Sequence, residues 1–328
     1  MVSTEILSHW PETKPHMSLT EVTLGANNSV YKVESTPAFF LRKYRAHDAS
    51  RIMNEHKLLF FLSQKVPTVV SPCLTSDGQS FVEVNGEYYA LFPKAHGSLI
   101  EKHALTDKHA FEAGITLAKL HRQLNLYPRN VMQNEIFPVI QLSWNREQWL
   151  QRLDKIIAAI EAKGEQNVED AWALRRSMQQ RCFLASDHCV HSYQTKTERV
   201  LIHGDFHHYN LFFDNRSKVS GIIDWDLVQY MPPAYEMARA CMYMFDMDVK
   251  KSVEFVSGYL STNELSKVSI IDGVCAWGIF ADHHIWALEE VYLKRNLAAR
   301  KFIPHKNFSP FAQQWSLIEA RLVNQRQR

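Results

Sequence analysis

The stretch that decides the fold is His203-Gly204-Asp205-Phe206-His207-His208-Tyr209-Asn210, followed by Ile222-Ile223-Asp224-Trp225-Asp226. Ahead of it runs Val200-Leu201-Ile202, an apolar segment too short for a helix, which breaks at His-Gly-Asp as a strand breaks into a loop. Asp205 therefore opens a loop. Asn210 precedes a second apolar run, Leu211-Phe212-Phe213, closed by the turn-forming Asp214-Asn215-Arg216-Ser217. A strand from Val219 to Ile223 brings the chain back and carries Asp224 at its end, so the hairpin sets Asn210 beside Asp224. One carboxylate, one amide oxygen and a second carboxylate suit a hard cation such as Mg²⁺, which takes oxygen ligands and binds substrate phosphates. That leaves one carboxylate for proton work.

Working outward, the first hundred residues read as strands interrupted by one helix. Val22–Leu24 and Val30–Val33 flank a small polar tip, in which Gly25 supplies a permissive backbone and Asn27, Asn28 and Ser29 supply further donors for a phosphate. Ala38–Leu41 is an apolar strand ending in Arg42 and Lys43. A helix is predicted from Ala49 to Leu62 with Asp48 as its N-cap; Ile52, Glu55, Leu59 and Leu62 share one face. Glu55 thus points to the core, where a carboxylate needs a cation, and Arg42 or Lys43 is the nearest source. Arg42 directly follows the apolar strand residues, while Lys43 faces the other side. Phe81–Val84 and Glu87–Phe92 flank Asn85-Gly86, which suits a type I′ turn.

From Thr106 the pattern is helical. Two amphipathic helices are expected between Asn145 and Ser192, parted near Lys163–Asn167, and Pro232-Pro233 fits a helix's first turn. Tyr230, Glu236, Tyr243 and Asp246 follow the second strand of the hairpin and could line an acceptor pocket.

The chain has 328 residues, 46% of them hydrophobic, enough for a sizeable core and compatible with two lobes. A formal net charge of +2 gives no reason to invoke nucleic acid or an acidic membrane surface. Five scattered cysteines do not form a disulfide framework, which fits a reducing cytoplasmic setting. No segment approaches the roughly twenty apolar residues of a membrane span. His188-Cys189-x-His191, His207-His208 and His283-His284 raise the question of zinc, yet adjacent histidines rarely ligate one ion together and no C-x-x-C or H-E-x-x-H spacing occurs.

The H-G-D-x-x-x-x-N segment with I-D-W-D resembles the catalytic loop and metal-binding strand of the aminoglycoside phosphotransferase and choline kinase superfamily. Protein kinases use a related Asp-to-Asn spacing. The resemblance implies an α+β, bilobal protein-kinase-like fold: a small N-terminal lobe, residues 1–93, with an antiparallel sheet plus helix that binds nucleotide, and a larger, mostly helical C-terminal lobe, residues 94–328, for catalysis and substrate. It implies that Asp205 is the base, that Asn210 and Asp224 hold Mg²⁺ against ATP, and that His203 packs under the loop. Asp226 could orient metal or substrate, and the Arg42 or Lys43 pairing with Glu55 would position the nucleotide phosphates. Leu117-Ala118-Lys119-Leu120-His121 resembles a common helix of the superfamily, with His121 a packed histidine. The segments L-R-x-Y-R, at Leu41–Arg45, and N-E-H, at Asn54–His56, look most like relatives of homoserine kinase and choline kinase. The expected activity is phosphoryl transfer to a hydroxyl of an amino alcohol, amino acid or sugar by a monomer or homodimer. Aminoglycoside O-phosphorylation and a Ser/Thr protein-kinase-like activity are the alternatives.

Overall fold

The computed structural model describes residues 2–22, 29–45, 48–128 and 137–326. The chain divides into two compact units that it visits alternately: the first holds Met1–Pro138, Val200–Tyr230 and Glu254–Glu264, the second Val139–Arg199, Met231–Val253 and Leu265–Arg328.

The first unit opens with a five-stranded antiparallel sheet of β1 (Leu19–Val22), β2 (Ser29–Val33), β3 (Phe39–Lys43), β4 (Val82–Val84) and β5 (Glu87–Pro93), in the order β1-β2-β3-β5-β4. Alternation along β3 sends Phe39 and Leu41 into an apolar cluster with Leu7, Trp10, Val33 and Leu91. Arg42 therefore faces the opposite side, towards α1 (Ala49–Ser63). Asp48 caps α1 by accepting from the backbone of Ser50, 2.9 Å, and Arg51, 3.4 Å, as the sequence indicated. Ile52, Leu58, Leu59 and Leu62 are buried on the face that also carries Glu55. Between β4 and β5, Asn85 and Gly86 both take positive φ, 54° and 76°, which is the type I′ turn their sequence calls for.

After β6 (Ser98–Leu99), the long helix α2 (Asp107–Leu124) buries Leu117, Ala118, Leu120 and Leu124. His121 is packed: its Nδ1 lies 2.9 Å from the Tyr259 hydroxyl. The chain then enters the second unit through β7 (Leu142–Ser143), α3 (Arg146–Glu161), α4 (Val168–Ala185) and β8 (Ser192–Tyr193). The two helices expected here form and are parted where the polar stretch predicts. Their contact, with α8 (Trp286–Tyr292), builds a core of Leu153, Ile156, Ile160, Ala173, Leu184 and Leu288.

Returning to the first unit, β9 (Val200–Ile202), β10 (Leu211–Phe213), β11 (Val219–Ile222) and β12 (Gln229–Met231) carry the deciding motif. β10 and β11 form the expected antiparallel hairpin, with Leu211 opposite Ile222, and β6 extends it on the other edge of β10. The second unit then gains α5 (Pro233–Phe245), with Pro233 in its first turn. α6 (Val249–Leu260) ends in the first unit, where its Gly258 lies against Phe111 of α2. α7 (Lys267–His283), α8 and α9 (Phe311–Arg326) complete the second unit, where α5 and α7 are close neighbours. The architecture is α+β, an antiparallel N-terminal sheet followed by a mainly helical remainder. Among the described residues no helix is long and apolar enough to cross a membrane.

Candidate active site

The hairpin places Asn210 and Asp224 on adjoining strand ends. The Ile223 amide donates to the Asn210 carbonyl, 3.1 Å, which locks the register immediately before Asp224. Asp224 itself has φ 64°, left-handed backbone that a non-glycine residue adopts at a cost and that turns its carboxylate out of the strand. On the other strand end, the Asn210 side-chain amide donates to both the backbone oxygen and the Oδ2 of Asp205, each at 2.9 Å. One side-chain amide thus fixes both the backbone and the carboxylate of Asp205.

The loop that presents Asp205 is held from below. His203 is fully buried, with Nε2 3.1 Å from the Ile223 carbonyl, while its Nδ1 accepts the Asp205 amide, 3.1 Å. Gly204 takes φ 82°, and a Cβ there would lie 1.9 Å from the Leu227 carbonyl oxygen, so this residue can only be glycine. His207, not singled out from the sequence as part of the site, brings Nε2 to 3.3 Å from Asp205 Oδ2. Its Nδ1 accepts from the Tyr209 amide, so the ring proton sits on Nε2 and faces the carboxylate.

Arg42 is where the second carboxylate cluster meets. Its guanidinium reaches Glu55 at 3.2 Å, Asp226 at 2.5 Å and Asp224 at 3.5 Å. Lys43 is directed elsewhere, onto Glu87 at 2.7 Å, as expected of a residue on the other face of β3. Arg51, one turn before Glu55 and also unforeseen, donates to the Asp226 carbonyl at 2.8 Å. Ser29 opens β2 opposite Lys43; Gly25, Asn27 and Asn28 lie outside the described residues.

Three carboxylates share one guanidinium, and the proton affinities of Glu55 and Asp224 show the strain. Burial pushes Glu55 up to about 7, with Arg42 opposing and Asp226 and Asp224 reinforcing the rise. Burial likewise pushes Asp224 up to about 6, against Arg42 and with the charges of Asp226 and Asp205. Arg42 is held even more firmly protonated than usual by the acidic groups around it, although its burial works the other way. An excess of negative oxygen donors around Asp224 is the environment a divalent cation relieves.

A family model described as "Phosphotransferase enzyme family" matches residues 18–265. No curated protein matches the chain. Among solved structures, an aminoglycoside phosphotransferase from Alicyclobacillus acidocaldarius superposes with a TM-score of 0.59 at 14% identity, over 100% of this chain and 96% of that one. A microcompartment-associated aminopropanol kinase gives 0.59 at 20% identity, over 98% and 97% of the two chains. The amicoumacin kinase hAmiN, solved with AMP-PNP, Ca²⁺ and Ami, gives 0.55 at 16% identity, over 94% of each. With the His203–Asp226 hairpin assembled and three quarters of the chain matched by the family model, this chain belongs to the phosphotransferase enzyme family.

Proposed function

We propose that the protein transfers the γ-phosphoryl group of ATP, with Mg²⁺, to a hydroxyl of an amino alcohol, a homoserine-like amino acid or a sugar. The observation that carries this reading is the Asn210 side chain, which holds Asp205 by its amide and stands beside Asp224 on the neighbouring strand end. Asp205 orients the acceptor hydroxyl and takes its proton as the bond to phosphorus forms; His207, donating from Nε2, keeps the carboxylate aimed. Asn210 and Asp224 offer hard oxygen donors, so Mg²⁺ is the group they fit, and when bound it would neutralise charge on the β- and γ-phosphates. Asp226 anchors Arg42 beside that site. Arg42, braced by Glu55, takes the place in which a strand cation clamps nucleotide phosphates, and Ser29 lies at the end of the adjoining strand as a further donor.

In this reading residues 1–93 serve as the nucleotide lobe and 94–328 as the catalytic and acceptor lobe, in a monomer or homodimer of the cytoplasm. The aminopropanol kinase among the similar structures supports an amino alcohol acceptor, and the several aminoglycoside phosphotransferases support an aminoglycoside as the second reading. A coupled ADP-release screen over amino alcohols, amino acids, sugars and aminoglycosides separates the two: acceptor-stimulated release is expected in the first three classes, and release confined to aminoglycosides selects the second. Asp205→Asn should abolish turnover while leaving nucleotide binding by calorimetry intact, and normal turnover in that variant would remove Asp205 from the role of base.

A further inference from the structure

The second unit brings together three groups that the sequence spacing hides. Cys189 lies in the turn after α4, His191 just before β8, and His283 at the last position of α7. One ligand atom of each, Sγ and two ring nitrogens, lies within 4.8 Å of the other two. His191 Nδ1 and His283 Nε2 are 2.9 Å apart.

What stands behind the two rings decides how they can be used. His283 Nδ1 is 2.8 Å from the Ile279 carbonyl, an acceptor only, so Nδ1 carries the proton and Nε2 presents a lone pair. His191 differs: its other nitrogen, Nε2, is buried and closes no hydrogen bond. When His191 carries its proton on Nε2, its Nδ1 and His283 Nε2 become two lone pairs facing each other. As a hydrogen-bonded pair the two nitrogens share one proton, and a metal ion can take that proton's place; the carbonyl-anchored ring N–H behind His283 is how proteins orient histidine towards metal.

We propose that Cys189, His191 and His283 form a zinc site, separate from the oxygen-donor site at Asp224, that ties the β8 segment to the end of α7. A thiolate and two neutral imidazoles suit borderline-soft Zn²⁺ far better than Mg²⁺, with water completing the tetrahedron. Burial keeps both rings neutral, lowering His283 to about 4 and His191 below its ordinary value, so their lone pairs are available. The Cys189 thiol must lose its proton on binding: burial, with Asp282 adding to it and Arg146 opposing, pushes it up to about 12, and a cation at 2.3 Å reverses that balance. Aromatic walls fix the site. The Trp144 ring stacks on His283 at 4.6 Å and 14°, its backbone amide holds the His191 carbonyl at 2.8 Å, and the Trp149 indole N–H holds the His283 carbonyl at 2.7 Å.

The test uses the full-length chain without a histidine tag. Chelator-treated protein is titrated with Zn²⁺ against a competing chromophoric chelator, and with Co²⁺ to read the thiolate-to-cobalt charge-transfer band. One equivalent of each should bind at this site, and Zn²⁺ should raise the melting temperature. Cys189→Ser should remove the charge-transfer band and, with His283→Ala, weaken Zn²⁺ binding by more than about 100-fold, beyond what losing an outer-shell partner costs. Asp224→Ala should leave the band unchanged, which separates this ion from the phosphate-binding metal. Wild-type protein that gives no charge-transfer band, or a band that survives Cys189→Ser, overturns the proposal and leaves the two histidines sharing a proton. Because the wild-type Co²⁺ spectrum is informative alone, a variant that fails to fold does not rescue it.

Discussion

Arg42 concentrates the physics of the carboxylate cluster beside Asp224. It is 8% exposed, and its partner Glu55 is 5% exposed. Replacing Arg42 with alanine leaves Glu55 buried without its cation, and breaking such a pair costs about 3–5 kcal/mol. Urea unfolding of Arg42→Ala should show a loss of that size, whereas Glu55→Gln, which needs no counter-charge, should lose less. Arg42→Lys should fold yet bind nucleotide more weakly, since one ammonium cannot hold Glu55, Asp226 and Asp224 at once as a planar fork does. Asp205, Asn210 and Asp224 could be found in the sequence because a short strand, a loop of fixed length and a hairpin leave little freedom in where they end. His207 and Arg51 were not legible. Their contribution depends on which way a side chain turns out of a loop or off a helix, and one-dimensional spacing does not specify that.

The elements themselves followed the sequence wherever local chemistry and burial agree. Asp48 before α1 is the clearest case, a carboxylate facing two otherwise unpaired amides. Asp48→Ala should cost about 1 kcal/mol, read as a shift in the thermal midpoint, with Asp48→Ser restoring most of it. The loop that carries Asp205 is stricter. Gly204→Ala places a methyl group 1.9 Å from a backbone oxygen at φ 82°, and backbone strain alone is worth about 1–3 kcal/mol. That variant should lose stability and activity together, measured by urea unfolding and ADP release. Elements that meet through tertiary contact were not legible in the same way: His191 and His283 are 92 positions apart, and the packing of α7 against β7, β8 and α4 brings them together. A spacing rule for metal ligands has nothing to act on there.

For the whole molecule, the balance of acidic and basic residues makes stability against pH depend on the few buried groups whose proton affinity changes on folding. Two of these are neighbours on α1. Glu55 moves from 4.5 up to about 7, driven by burial, and His56 moves from 6.5 down to about 3, also by burial, with Arg42 adding to it. Between pH 4.5 and 6.5 the folded chain therefore holds one proton on this pair, on Glu55, and the unfolded chain also holds one, on His56. Their contributions to the slope cancel. Glu55 alone stabilises the fold at low pH and loses that contribution as pH rises through about 7; His56 alone stabilises it above 6.5 and loses that contribution as pH falls towards 3. Glu55→Gln removes the first and leaves the second. Unfolding free energies of the variant should therefore climb with pH between 4.5 and 6.5 more steeply than those of the wild type, by up to about 1.4 kcal/mol per pH unit. Titrating groups that do not share Arg42 with Glu55 are common to both proteins and drop out of the difference. Parallel curves across that window would mean that Glu55 stays ionised against Arg42 throughout, with the guanidinium outweighing burial and the two neighbouring carboxylates.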